Sequence, residues 1–257
     1  MTGTGEPIIQ VEGLTMGFGT MIIMEKLDFV VRRGETFVIL GGSGSGKSTL
    51  LKHMIGLQRP LAGRVLIDGA DVTTAEGAER EDILREIGVM YQMGALFGSM
   101  SLLENVRLPL EVHTRLPTAA MNRIALARLQ MVGLAEYGDF MPAEISGGMQ
   151  KRAAIARAMV LDPKVLFLDE PSAGLDPITS AELDQLIRRL SSSLGMTMVV
   201  VTHELPSIFT IADRVIMLDR DSRSIIAEGD PRVLRDTSEH PWVRRFLRRA
   251  ETEDLPA

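Results

Sequence analysis

Three groups of residues in this chain have the types and spacing to do chemistry. The first is the run Gly41, Gly42, Ser43, Gly44, Ser45, Gly46, Lys47, Ser48. Glycine accepts positive φ and lets backbone N–H groups crowd a ligand, so such a run can wrap phosphate oxygens. Lys47 would reach the β- and γ-phosphates of a nucleoside triphosphate, and the Ser48 hydroxyl would ligate Mg²⁺. The second group is Asp169 and Glu170, just after the apolar run 165–168. Neighbouring side chains at a strand end point different ways, so two carboxylates can take two tasks. Asp169 would hold Mg²⁺ through its water shell, and Glu170 would orient and deprotonate an attacking water. The third group is Ser146, Gly147 and Gly148, placed to open a helix whose free N–H groups are an anion site.

These groups need elements to position them, and the flanking patterns supply those elements. Residues 36–40 are a short apolar, β-rich run, the pattern of a buried central strand in a parallel sheet. Residues 47–54 read as a helix, which puts its positive dipole end under the same phosphates. A strand before and a helix after argue against a merely flexible Gly/Ser turn. Strand patterns also occupy 8–14, 22–31, 63–67, 87–91, 165–168, 197–201 and 215–218, with Asp68-Gly69 as a turn signal. From 102 to 161 the period becomes helical, with segments near 118–132 and 148–161. This is the expected order for an α/β phosphate-loop core with a parallel sheet, an antiparallel β subdomain and an inserted helical subdomain. Ligands of open α/β sheets collect at the carboxyl ends of strands, where 169–170 would lie. An N-cap acid before Pro171 is the plainer reading of that pair, and the preceding apolar strand disfavours it.

Composition narrows the function classes. With 257 residues the chain can bury one large α/β core. It has no cysteine, which excludes disulfides and thiolate metal sites and fits a reducing compartment. The net charge of −6 makes no electrostatic case for nucleic acid. No uninterrupted apolar stretch is long enough to span a bilayer, and the N-terminal residues lack a signal-peptide pattern. A hydrophobic content of 45% with 16 methionines hints at apolar surface for partners, although methionine also fills cores well.

The order of Gly41 to Thr49, Gln92, Ser146 to Gly148, Leu168 to Pro171, Ser172 to Asp176 and His203 resembles the ATP-binding subunits of ABC transporters along nearly the whole chain. The resemblance implies ATP and Mg²⁺ as ligands, with Ser48, Gln92 and Asp169 around the metal and Glu170, Gln92 and His203 in catalysis. By the same resemblance, Phe18 would stack on adenine, and Gln92 would sense the γ-phosphate and report to a membrane subunit. His203 would hydrogen-bond the γ-phosphate. Ser146, Gly147 and Gly148 would bind ATP held by a second copy of the chain, and Asp176 would contact the facing phosphate loop. Residues 1–236 would form the ATP-binding domain, with its helical subdomain about 95–160, and 237–257 a C-terminal amphipathic tail.

The family's signature motif usually ends in glutamine, whereas position 149 is Met, which cannot donate a hydrogen bond. Methionine there resembles the ATPases of bacterial maintenance-of-lipid-asymmetry (Mla) phospholipid transporters and their relatives in MCE-type lipid systems. Residues 92–97, 104–111 and 176–179, and the ending at 241–247, resemble the same group. That implies integral membrane permease subunits, an MCE-domain lipid-binding protein and a small accessory protein as partners. It also implies a place on the cytoplasmic face of the bacterial inner membrane. An importer ATPase for a polar solute would be expected to carry glutamine at position 149 and a different tail. A non-transport ABC protein would show tandem cassettes or a long coiled-coil insertion.

Two segments stay open. The apolar residues of 93–110 fit either the core of the helical subdomain or a groove for a permease helix. In the tail, Trp242, Phe246 and Leu247 alternate with Arg244, Arg245, Arg248 and Arg249 in an amphipathic helix, with 251–257 frayed. So short a helix needs a surface, and the family resemblance favours a second ATPase subunit or an accessory protein over the chain's own domain.

Overall fold

The structure is a computed structural model that describes residues 5–248. Among these, a six-stranded sheet forms the centre, in the order β10-β9-β3-β8-β7-β6. Its parallel members are β3 (Thr36–Gly41), β6 (Ile87–Met90), β7 (Val165–Asp169), β8 (Thr197–Val201) and β9 (Arg214–Asp219), and β10 (Ser224–Gly229) closes one edge antiparallel. The continuous apolar runs arise because both faces of the sheet are covered. Val38 and Leu40 face one core with Leu166, Leu168, Met198 and Val200. Phe37 and Ile39 face the other with Val165, Phe167, Val199 and Val201.

The second core is shared with a four-stranded antiparallel sheet of order β2-β1-β4-β5. It comprises β1 (Pro7–Phe18), β2 (Met21–Arg32), β4 (Ala62–Ile67) and β5 (Ala70–Asp71). Following β3 comes α1 (Lys47–Met54), with the bounds the sequence pattern predicts. A short helix, α2 (Gly77–Arg85), precedes β6. The helical block is α3 (Leu102–His113), α4 (Thr118–Met131) and α5 (Gly147–Ala158). Ser101 and Glu104 close a capping box on α3, each satisfying a backbone N–H of the first turn. Leu102, Val106 and Leu110 are buried, while Met93 is 85% and Phe97 51% exposed. The open choice for 93–110 therefore divides: one stripe is core and the preceding loop is surface.

The chain completes with α6 (Pro177–Leu194), α7 (Leu205–Ile211), α8 (Pro231–Thr237) and α9 (Pro241–Arg248). The pattern of strands and helices drawn from the sequence omits α6, yet its signals are present. Asp176 caps it, Pro177 begins it, and Leu183, Leu186, Ile187 and Leu190 are buried at helical spacing. Strand β10 is omitted as well; its residues are only partly buried, the mark of an edge strand.

The tail is the main correction. Val243 and Leu247 of α9 are fully buried in the first core, and Trp242 and Phe246 pack against it. The apolar face expected to seek a partner is filled by the chain's own domain, so α9 belongs structurally with it. Arg249 and residues 251–257 lie outside the described residues.

Candidate active site

Sheet order brings the chemistry together. In the sequence β3, β6, β7 and β8 are far apart, but in the sheet they run β3-β8-β7-β6 with parallel sense. Their carboxyl ends therefore deliver the phosphate loop, His203, Asp169-Glu170 and Gln92 to one rim, as open α/β sheets do.

The phosphate loop leaves β3 through Gly41, whose φ of 153° and tight surroundings admit no side chain. A Cβ there would lie 2.3 Å from Ser45 Oγ. Gly46, at φ 88°, is the N-cap of α1, and no side chain caps that helix, so its first N–H groups face the loop. The Lys47 ammonium donates to the carbonyls of Gly41 (2.9 Å) and Gly42 (3.1 Å). Burial pushes its pKa down, and the charges of Glu170 and Asp169 oppose that.

Across the rim, Glu170 has φ 48°, a left-handed value that costs free energy for a non-glycine residue and collects at functional sites. Its N–H donates to Val201 O at 2.8 Å, which pins the carboxylate beside β8. Oε1 accepts from His203 Nδ1 at 2.8 Å, whereas Oε2 is buried without a hydrogen-bond partner among the described residues. Asp169 Oδ1 is buried and unpartnered in the same sense. Burial pushes the Asp169 carboxyl up, Glu170 adds to this, and Lys52, Lys47 and Lys151 pull it down. Two orphaned carboxylate oxygens, on a rim shared with Lys47 and the Ser48 hydroxyl, are a donor set that fits Mg²⁺ and a polarised water.

One cavity joins the phosphate loop, Ser48, Gln92, Glu170 and His203, with Glu204 to Pro206 along one wall. Its lining also includes Trp242, Arg245 and Phe246 of α9, a contribution that sequence reasoning missed. Phe18, 56% exposed, opens onto a second hollow behind the loop with Gly46, Lys47 and Thr49. Ser146, Gly147, Gly148 and Asp176 line neither space. Ser146 instead caps α5, accepting from Met149 N at 3.3 Å, and Asp176 caps α6 through Ile178 N and Thr179 N, both 3.1 Å. The two caps sit together: a Cβ on Gly148 would fall 2.4 Å from Thr179 Cγ2.

Residues 24–173 match the family described as ABC transporter. The chain belongs to that family. As an ABC cassette it binds ATP with Mg²⁺ and hydrolyses it to drive transport. It is 44% identical over 239 residues to a probable ribonucleotide transport ATP-binding protein, mkl, of Mycobacterium leprae, covering 93% of this chain and 68% of that one. It is 39% identical to the intermembrane phospholipid transport system ATP-binding protein MlaF of Haemophilus influenzae (86% and 83% covered) and 36% identical to MlaF of Escherichia coli (93% and 88%). Among solved structures, the ATP-binding cassette MJ0796 as a post-hydrolysis dimer with ADP and Pi superposes with TM-score 0.77 at 32% identity, over 86% of this chain and 98% of that one. The cassette cbiO1 of Clostridium perfringens gives TM-score 0.83 at 28% identity, over 98% and 96%.

Proposed function

We propose that this ABC cassette is the energy-coupling ATPase of a transporter that moves phospholipid between the inner membrane and an MCE-type periplasmic partner. The observation that carries this reading is the 39% identity to a phospholipid-transport MlaF across most of both chains, together with Met149 in the signature motif. The mycobacterial relatives, at up to 44% identity, favour a second reading, a transporter of ribonucleotides.

Within the site, Lys47 and the loop N–H groups grip the triphosphate. Ser48, Gln92 and Asp169 would hold Mg²⁺, which would supply positive charge against the phosphates. Glu170 takes the proton of the attacking water on Oε2, while His203, held through Oε1, hydrogen-bonds the γ-phosphate. Phe18 supports the base from the adjoining hollow. Ser146 to Gly148 and Asp176, which line neither space on their own copy, complete the site of a second copy, as the dimeric form of the MJ0796 cassette supports. The exposed Met93 and Phe97, just beyond Gln92, receive a cytoplasmic helix of the permease. None of the helices among the described residues is long and apolar enough to cross a membrane, so attachment to the inner membrane would run through that permease.

Purification of the native complex through a tag on this chain tests the reading. A permease and an MCE-domain protein with bound phospholipid are the expected companions. Recovery with a ribonucleotide-loaded or other polar-solute binding protein would overturn the lipid assignment and leave the ATPase intact.

A further inference from the structure

Lys151 is a buried cation that the sequence motifs leave without a task. It lies on α5, one turn from the Ser146 cap, and is only 8% exposed. Its ammonium donates to the backbone carbonyl of Gln92 and reaches the carbonyl of Glu170 at 3.5 Å. Farther along the same helix, Arg157 donates to the carbonyls of Gly94 and Ala95, both at 2.8 Å. Between these two cations a Cβ on Gly94 would meet Ala154 Cβ at 3.5 Å, so α5 lies flat against the loop that carries Gln92. Both cations hold that loop, but of the two only Lys151 extends to the end of β7.

Burying an ammonium is costly unless its donors are used, so this position is not a neutral choice for a lysine. Desolvation pushes its pKa down while Asp169 and Glu170 pull it back. The carbonyl it reaches belongs to the residue with left-handed φ, a conformation that persists only where surrounding contacts over-determine it. The other contacts on that backbone are the N–H of Glu170 to Val201 O and the Ala173 N–H to Glu170 O at 3.2 Å.

We propose that Lys151 is a positioning residue: it ties the signature helix to Gln92 and Glu170 at once, so that a nucleotide engaged by Ser146 to Gly148 sets the aim of the hydrolytic carboxylate of its own chain. The inference rests on the catalytic reading of Glu170 and the cross-copy reading of the signature motif given above. In this scheme the helical subdomain moves with α5, and Lys151 is the point where that movement meets the parallel core. Loss of the ammonium leaves the phosphate loop and the signature N–H groups in place; Arg157 still holds the loop that carries Gln92, so the orientation of Glu170, which Arg157 does not reach, is what is mainly disturbed.

The experiment compares Lys151→Met, Lys151→Gln and Lys151→Arg with Glu170→Gln in the full chain. It measures kcat, KM, affinity for a fluorescent ATP analogue, and Tm. For Lys151→Met, kcat is expected to fall about ten- to a hundredfold, the range usual for groups that orient a functional residue without touching substrate. KM and analogue affinity should stay within about twofold, since ground-state contacts are untouched. Lys151→Gln keeps two N–H donors on a shorter stem but loses the charge, so it should show the same split more weakly, and Lys151→Arg should recover most of kcat. Parental kcat in Lys151→Met, or in Lys151→Gln if the Met variant does not fold, overturns the inference while an inactive Glu170→Gln upholds the underlying site. A kcat loss matched by equal losses of ATP affinity and Tm, without rescue by Arg, also overturns it, because that is a packing effect. Turnover surviving in Glu170→Gln removes the site reading itself.

Discussion

At the scale of residues, the proposed site separates groups that bind from one proposed to gain and release a proton. Glu170 Oε2 is the buried acceptor left open when Oε1 is engaged by His203. Glu170→Gln is isosteric and keeps one acceptor, so ATP binding should persist while turnover falls by at least about a hundredfold. His203→Ala should bind ATP nearly normally yet turn over slowly, since the contact proposed for it is one made mainly in the transition state. Single-turnover hydrolysis beside equilibrium nucleotide binding reads both; parental turnover in either variant would contradict its role. Asp184 offers a prediction in pH. Burial pushes its carboxyl up to about 6, a Ser207 hydrogen bond opposes this, and Glu204 adds to it. A raised folded pKa means the native state holds a proton that the unfolded chain has already released. The stability it contributes is present below the unfolded value and lost as pH rises to about 6. Asp184→Asn should therefore melt higher than the parent at pH 8, by at most about 3 kcal/mol. The difference should vanish as pH falls below the unfolded value, and calorimetry across that window checks it.

At the scale of elements, α9 shows a short helix taking its stability from packing rather than propensity. Val243 and Leu247 are fully buried, so Leu247→Ala should cost about 2–5 kcal/mol, read as a fall in the urea midpoint at unchanged m. Removing residues 240–257 should lower stability at least as much. A thermal melt unaffected by that truncation would restore the view that the helix seeks a partner. The same helix puts Trp242 within van der Waals reach of Gly42, where an added Cβ would lie 3.8 Å from the indole. An element that walls the nucleotide cavity and anchors in the core links folding of the C-terminus to the site.

At the scale of the whole molecule, the residues proposed to engage nucleotide lie in two separate places on one copy. The phosphate loop, Gln92, Glu170 and His203 share a cavity, while Ser146 to Gly148 and Asp176 lie outside it. Glu170→Gln with Mg²⁺ and ATP should therefore sediment as a dimer, alone or with its permease, and as a monomer when the isolated chain has no nucleotide. A monomer under saturating ATP in both settings would contradict the two-copy site.

The phosphate loop, its strand and its helix were legible in the sequence because their contacts are local. Glycine φ, a helix start and a Lys-Ser pair all fall within a short stretch of consecutive residues, and α1 begins and ends where the pattern places it. The carboxylate pair was legible through its strand, since a short run apolar at every position is the ordinary form of a strand covered on both faces. Met149 was legible as a departure from the signature, because residue identity needs no coordinates. Three things were decided only by tertiary structure. Sheet order β3-β8-β7-β6 is a non-local choice, and it alone sets His203 against Glu170. The partner of α9 depended on whether the core left a slot for Val243 and Leu247, and an amphipathic pattern is the same whether its surface is in its own domain or another. Lys151 had no signal at all: a lysine on a helix reads as solvated, and only the approach of two distant carbonyls turns it into a buried link between elements.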